Sequence, residues 1–259
     1  MPTYRLKNGD DAFDSAFVLD WTNNSQVFGG NGDDDIAARA LTPTFTSRLL
    51  ASGGNGDDSI FIDASNSVAL GGNGDDLLTS IGGLGNVLRG GNGDDLLISF
   101  GGGSGMGQGN VLHGGNGEDT FRFTNSGNLV MTNDAGDDRA VSTGDVFLGP
   151  MDVITDYQSG ELIELRNFGG PDEVPPYTRL EEVALIVDPL SADRFRPVVG
   201  DGQYALFRGS FEGEGEFTVN LKGNDLLVVY DAFNGDDNDI AQGSLALLGV
   251  TDPGTVLIG

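Results

Sequence analysis

The sequence predicts an all-β protein made of stacked, repeating coils. Three observations carry this. A Gly-Asp turn recurs seven times in the first 140 residues; its copies follow one another at a step near 20 residues; and an apolar residue keeps a fixed place on each side of it. A fixed period of this length is the mark of a solenoid, in which each repeat buries its apolar side chains only against its neighbours.

The turn is written most clearly in five places. Gly29–Asp34, Gly53–Asp58, Gly71–Asp76 and Gly90–Asp95 read GGNGDD, and Gly114–Asp119 reads GGNGED. Two weaker copies flank them, Asn8–Asp11 and Asn133–Asp138. The last glycines fall at Gly9, Gly32, Gly56, Gly74, Gly93, Gly117 and Gly136, so the steps are 23, 24, 18, 19, 24 and 19 residues. Two residues after each turn comes Phe13, Ile36, Ile60, Leu78, Leu97 or Phe121, with the weaker Ala140 after the last copy. Two residues before the five good turns comes Val27, Ala51, Ala69, Leu88 or Leu112. Side chains alternate along a strand, so one inward residue on each flank is enough for a short strand. Each turn is therefore bracketed by two strands facing a common interior. The register of these apolar positions excludes a disordered Gly-Asp linker.

Glycine lets the backbone turn with positive φ and bring carbonyl oxygens inward. The aspartates complete a cluster of hard oxygens, which is what Ca²⁺ takes, six to eight at about 2.3–2.6 Å. Carboxylates stacked at a strand spacing of about 4.8 Å would repel one another without a cation between them.

The repeat resembles GGxGxDxUx, the calcium-binding nonapeptide of the repeats-in-toxin (RTX) family, where U is a large apolar residue. That resemblance implies a right-handed parallel β-roll with Ca²⁺ between the loops of successive coils. It implies Asp34, Asp58, Asp76, Asp95 and Asp119 as the main carboxylate ligands, with Asp11 and Asp138 at the ends. It also implies carbonyl ligands from Gly29, Gly32, Gly53, Gly56, Gly71, Gly74, Gly90, Gly93, Gly114 and Gly117. Asn31, Asn55, Asn73, Asn92 and Asn116 belong to the same ligand loops. Seven loops leave six gaps, so about five or six ions and a roll about 25–35 Å long are expected.

The family carries the nonapeptide on both sides of each coil. Here the opposite turns read Gly82–Asn86 (GGLGN), Gly105–Asn110 (GMGQGN) and Asn23-Asn24-Ser25, without the ligand Asp. The expectation is a one-sided ladder whose other edge is made of Asn-capped turns. Ala38–Ser47 and Phe100–Gly109 stretch two of the coils.

Past residue 150 the rhythm stops, which divides the chain into a roll over 1–150 and a C-terminal β region over 151–259 that caps it, sandwich-like. The run Asp152–Leu165 resembles the segment after the roll in serralysin-type secreted proteins, with Glu161, Leu162 and Glu164 as departures. Val183–Val187, Tyr204–Phe207 and Phe217–Leu221 alternate as antiparallel strands do. A coil stack needs such a cap over its last apolar face. Gly169–Tyr177, with three prolines, reads as a surface loop. The acidic run Asp231–Asp239 reads either as one more calcium loop, through Asp231, Asn234, Asp236 and Asp239, or as an exposed hairpin.

Composition bounds the function. A net charge of −27 and a pI near 4.1 argue against nucleic acid and against docking on anionic lipid. There is no Cys, hence no disulfide framework, and no apolar run long enough to span a membrane. The N-terminus shows no apolar signal core, so a cleaved leader is not expected. There is no HExxH, and His113 is the one histidine, beside the inward Leu112 and expected to face solvent. Ser104 lacks the last Gly of a nucleophile elbow, and Trp21 reads as core or cap rather than a sugar platform. No catalytic site and no cofactor other than Ca²⁺ are expected. The resemblance implies export by a type I secretion apparatus, with the apolar ending Leu245–Val250 and Val256–Ile258 as its signal. It also implies a secreted or cell-surface location. The expected role is a structural or adhesive protein that self-associates. The alternative is a calcium-dependent polysaccharide-binding module, by analogy with the roll modules of alginate epimerases. Scattered Arg39, Arg48, Arg89, Arg122 and Arg139 form no stripe for an acidic glycan, which favours the structural role.

Overall fold

The structure is a computed structural model. It describes residues 2–15, 24–40, 48–81, 84–100, 108–124, 130–133, 140–166, 176–183, 185–188, 191–231 and 243–259. Trp21, Ser104, Asp138, Arg139, Asn234, Asp236 and Asp239 lie outside these residues.

Each Gly-Asp turn separates two short strands that belong to two different sheets. The strands before the turns form one parallel ladder: β1 (Thr3–Arg5), β3 (Gln26–Asn31), β5 (Leu50–Asn55), β7 (Val68–Asn73), β9 (Val87–Asn92), β11 (Gln108–Asn116) and β15 (Met151–Ile154). The strands after the turns form the other: β2 (Ala12–Asp14), β4 (Asp35–Arg39), β6 (Ser59–Asp63), β8 (Leu77–Ile81), β10 (Leu96–Phe100), β12 (Thr120–Thr124), β16 (Leu162–Arg166) and β24 (Leu257–Ile258). Neighbouring strands pair in parallel throughout both stacks. This is an all-β arrangement compatible with a β-roll.

The registers stack like on like. Val27, Ala51, Ala69, Leu88 and Leu112 align across the first ladder, and Ile36, Ile60, Leu78, Leu97 and Phe121 across the second. All ten are at most 1% exposed and share one core between the sheets. Alternate residues face outward, as the period of a strand demands.

The stack does not end with the Gly-Asp rhythm at residue 150. β15 and β16 add one more coil, with Leu112 against Ile154 and Phe121 against Ile163. This corrects the expected seventh coil. Of the Asn133–Asp138 copy only Asn133 lies within the described residues, and its strand belongs to neither parallel ladder. Instead, β13 (Val130–Asn133) pairs antiparallel with β14 (Val146–Leu148), and Ala140 is exposed.

Beyond β15 the first sheet turns antiparallel through β23 (Gly243–Leu247), β22 (Asp225–Asp231), β20 (Gln203–Gly213) and β21 (Glu216–Val219). It reaches β14, β13, β19 (Ser191–Pro197) and β18 (Leu185–Asp188); β17 (Thr178–Leu180) pairs with β20. β22 and β23 are apolar on both faces for a reason. Leu226, Val228, Tyr230, Leu245 and Leu247 fill the core between the sheets. Leu227, Val229 and Ala246 fill a second core with Phe147, Val153 and Phe217. So Leu245–Leu247 is an interior strand rather than an edge. No helix among the described residues is long and apolar enough to cross a membrane.

Candidate metal centre

The turns align along one edge of the stack and form three side-chain columns. The innermost is made of the last Asp of each turn. Each Oδ1 accepts a hydrogen bond from the amide of the same Asp one coil earlier: Asp11 to Asp34 (2.9 Å), Asp34 to Asp58 (2.8 Å), Asp58 to Asp76 (2.8 Å), Asp76 to Asp95 (2.8 Å) and Asp95 to Asp119 (3.0 Å). The other oxygen, Oδ2, of Asp34, Asp58, Asp76, Asp95 and Asp119 is buried with no hydrogen-bond partner. These five side chains sit in residues only 1–2% exposed. A buried carboxylate oxygen without a partner is costly, and here the cost repeats coil after coil.

The first glycine of each turn makes room for that oxygen. Gly29, Gly53, Gly71, Gly90 and Gly114 show no positive φ. A Cβ on any of them would overlap the Asp Oδ2 of the same turn. At Gly29, Gly71 and Gly90 it would also stand 2.6–2.7 Å from the first-glycine carbonyl oxygen of the next coil. Carboxylate and carbonyl oxygen thus border one shared space. The second glycine serves the backbone instead: Gly54 has φ of 131° and lies against the Gly30 carbonyl, where a side chain has no place.

Burial is the main cause that pushes these carboxyls up. Asp58 rises to about 6, and Asp76 and Asp95 to about 7. Asp34 and Asp119 rise for the same reason. The amide hydrogen bonds pull the other way, and the neighbouring carboxylates add to the rise.

Asp11 departs from the pattern. Leu6 stands opposite Phe28's successor Gly29, with its amide on the Phe28 carbonyl (2.9 Å). The Asp11 Oδ2 accepts from the Lys7 amide instead (2.7 Å).

The asparagines form a second, exposed column. Asn31 donates to Asn8, Asn55 to Asn31, Asn73 to Asn55, Asn92 to Asn73 and Asn116 to Asn92, at 2.6–2.9 Å. Their carbonyls accept from the third glycine of the coil before. Both oxygens of Asn31, Asn55, Asn73 and Asn92 therefore already have partners. The third column runs through Asp10, Asp33, Asp57, Asp75, Asp94 and Glu118, each amide donating to the preceding carboxylate.

Glu161 is the residue the repeat pattern did not single out. Thr120 pairs with Leu162, which places Glu161 next in line after Asp119. It is 2% exposed, its Oε1 has no partner, and its Oε2 accepts from the Gln158 amide (2.6 Å). Burial lifts its carboxyl to about 7, opposed by the Gln158 bond and reinforced by Asp119 and Asp156. Asp156 takes the first-glycine place and accepts from the Gly114 and Gly115 amides (3.1 and 2.9 Å). His113 is half-exposed, as expected, with Nδ1 3.1 Å from Asp156. The serralysin-like run and the equal length of Gly114–Asp119 and Asp156–Glu161 were the available signals for Glu161.

On the opposite edge, among the described residues, a buried column is held by hydrogen bonds. It runs Ser67, Asn86, Asn110 and Asp152, each accepting from the amide of the coil before: Leu49 to Ser67, Ser67 to Asn86, Asn86 to Asn110 and Asn110 to Asp152, at 2.6–3.0 Å. Asp152 also accepts from the Ser99 hydroxyl (2.8 Å), and burial lifts it to about 6. Asp231 ends β22 fully buried, away from the Asp columns.

Among the described residues no three His, Cys, Asp or Glu side chains converge on one point. A cation here would be held by one carboxylate per coil together with backbone carbonyls. The unpartnered oxygens and the space kept clear by the first glycines fit that donor set, which is hard oxygen only. A scan against protein-family models finds no match, and a search of the curated proteins finds no significant relative.

Proposed function

We propose that this chain is a calcium-binding repeat protein of the RTX type, a right-handed β-roll whose C-terminal strands cap it. The observation that carries this is the column of unpartnered buried oxygens at Asp34, Asp58, Asp76, Asp95, Asp119 and Glu161. Bound Ca²⁺ supplies positive charge and coordination to oxygens that otherwise have neither. The Asp carboxylates hold one amide of the preceding coil with one oxygen and leave the other for the ion. The first-glycine carbonyls complete the set, and the apolar stack fixes the spacing.

Where calcium is scarce these carboxylates repel, and a chain of charge −27 expands. Where calcium is near millimolar, as outside cells, such modules bind at about 10⁻⁴–10⁻³ M and binding becomes folding free energy. This favours a secreted protein that crosses its exporter unfolded. Leu245–Leu247 is buried in the middle of a sheet, so a secretion signal there would be read before folding. A structural, self-associating role fits a roll built around ions and amide ladders. The test is a calcium titration from excess chelator, followed by circular dichroism and by native mass spectrometry. Strand signal and ion uptake should rise together, to about five ions. A chain fully folded in chelator would overturn the reading.

A further inference from the structure

We propose that a second copy of this chain packs on the outward face of the second sheet, related by a two-fold axis so that the two stacks run in opposite directions. This names the surface for the self-association proposed above and rests on that reading. Among the described residues only Leu77 (37%), Leu221 (78%) and Leu257 (48%) are exposed large apolar side chains. Leu77 and Leu257 lie on one outward row of this sheet, in line with Leu96 and Leu162. The strands β8 (LLTSI) and β10 (LLISF) contain no charged residue, in a chain that is 20% charged. Their inward residues fill the core, so Leu77, Thr79, Ile81 and Leu96 face out beside Phe61 of β6. An apolar patch of this kind on an otherwise acidic surface marks an interaction site.

Charge selects the occupant. On one side the patch is bounded by Asp14, Asp35, Asp63 and Arg39, with Arg39 paired to Asp14 at 3.2 Å. Three carboxylates against one guanidinium leave that border negative. On the other side it is bounded by Arg122, Arg166 and Glu164, with Arg122 paired to Glu164 at 2.5 Å and Arg166 to Glu164 at 3.7 Å. Among the described residues two guanidiniums stand against one carboxylate there, so this border is positive relative to the other. A two-fold axis through the apolar centre sets each acidic border against the partner's basic border, with Leu77 and Leu96 meeting their counterparts. The same face is therefore complementary to itself, although the molecules as wholes repel. With both charged borders included, seven strands at about 4.8 Å and five residues at about 3.3 Å give a contact face of about 30 by 16 Å, the scale of a small, reversible interface.

Sedimentation velocity on the full chain in millimolar calcium, over a concentration series, tests this. The wild type should pass from monomer towards a mass about twofold higher as concentration rises. Leu77→Glu with Leu96→Glu should stay monomeric while keeping the calcium-induced strand signal. Arg122→Glu with Arg166→Glu, and separately Asp35→Arg with Asp63→Arg, should each be monomeric alone and dimerise when mixed, because each restores the other's borders. A wild type that remains monomeric throughout overturns the proposal, and so does a dimer untouched by the Leu77 and Leu96 pair. A chain already compact in chelator would sink the calcium reading while leaving the dimer measurement valid.

Discussion

Gly53 and Gly54 sit side by side for different reasons. Gly54 answers a backbone demand, with φ of 131°. Gly53 has no such demand, but a Cβ there would fall on the Asp58 carboxylate. Gly→Ala within a strand ordinarily helps by about 0.5–1 kcal/mol. Gly53→Ala should instead cost about 1–3 kcal/mol by overpacking and should displace the Asp58 oxygen. Thermal melts in calcium check the cost, and a calcium titration checks the loss of a site. An unchanged titration would mean that the space kept by Gly53 has no bearing on the ion. Asp76→Asn separates charge from shape. The carboxyl of Asp76 is lifted to about 7, so its charge is unwelcome in the metal-free fold. The Asn variant should be more stable than the wild type in chelator at neutral pH. In millimolar calcium it should be less stable by about 1–3 kcal/mol, the linkage worth of one filled site. Equal effects in both conditions would show that no cation engages that oxygen.

At the scale of the element, the two edges of the coil show what was legible. The strands and their inward residues were readable because each turn fixes its flanks at constant offsets, and Val27 through Phe121 are buried accordingly. The Asp column was readable from the same offsets. The last coil was not, because Asp156 and Tyr157 replace the paired glycines while the fold keeps the spacing. Tyr157 holds that coil through its hydroxyl, which donates to the Glu161 carbonyl (2.8 Å) and accepts from the Leu257 amide (2.9 Å). The opposite edge was legible only as Asn-capped turns. That its column ends on Asp152 follows from register between residues 42 apart, which no local pattern shows. Asp152→Ala would strand the Asn110 amide and the Ser99 hydroxyl in the core, at about 1–3 kcal/mol each. Asp152→Asn keeps an acceptor for one of them and should cost less. Asn73→Ala, in the exposed amide column, should cost about 1 kcal/mol or less. Chemical denaturation in calcium ranks the three, and a costlier Asn73→Ala would make the exposed column the main support of the stack.

For the whole molecule, protons and calcium compete for the same oxygens. Asp58, Asp76, Asp95, Asp152 and Glu161 all titrate higher in the fold, at about 6 to 7, than in an open chain, at 3.8 for Asp and 4.5 for Glu. Between those values the folded state binds more protons, so stability of the metal-free chain falls as pH rises. In chelator the chain should compact as pH drops from about 7 to about 4, and in calcium the same drop should release ions. Light scattering and ion analysis across that range check both directions; a metal-free chain that stays expanded at pH 4 would remove the carboxyls as the cause. The stack is also quasi-one-dimensional, because each coil touches only its neighbours, and this makes it divisible. Gly72 and Gly91 are register partners one coil apart, as are Asn73 and Asn92, 19 residues apart. Excising residues 72–90 joins Gly71 to Gly91 and leaves every remaining column in line. The shortened chain should fold in calcium, keep its C-terminal strands and bind one ion fewer by native mass spectrometry. An excision one residue longer, of residues 72–91, moves the strand before the join by one position against its turn, so that Ala69 and the Asp column fall out of line, and should not fold. Equal behaviour of the two excisions would show that register along the stack, and hence the carboxylate column, does not govern the fold.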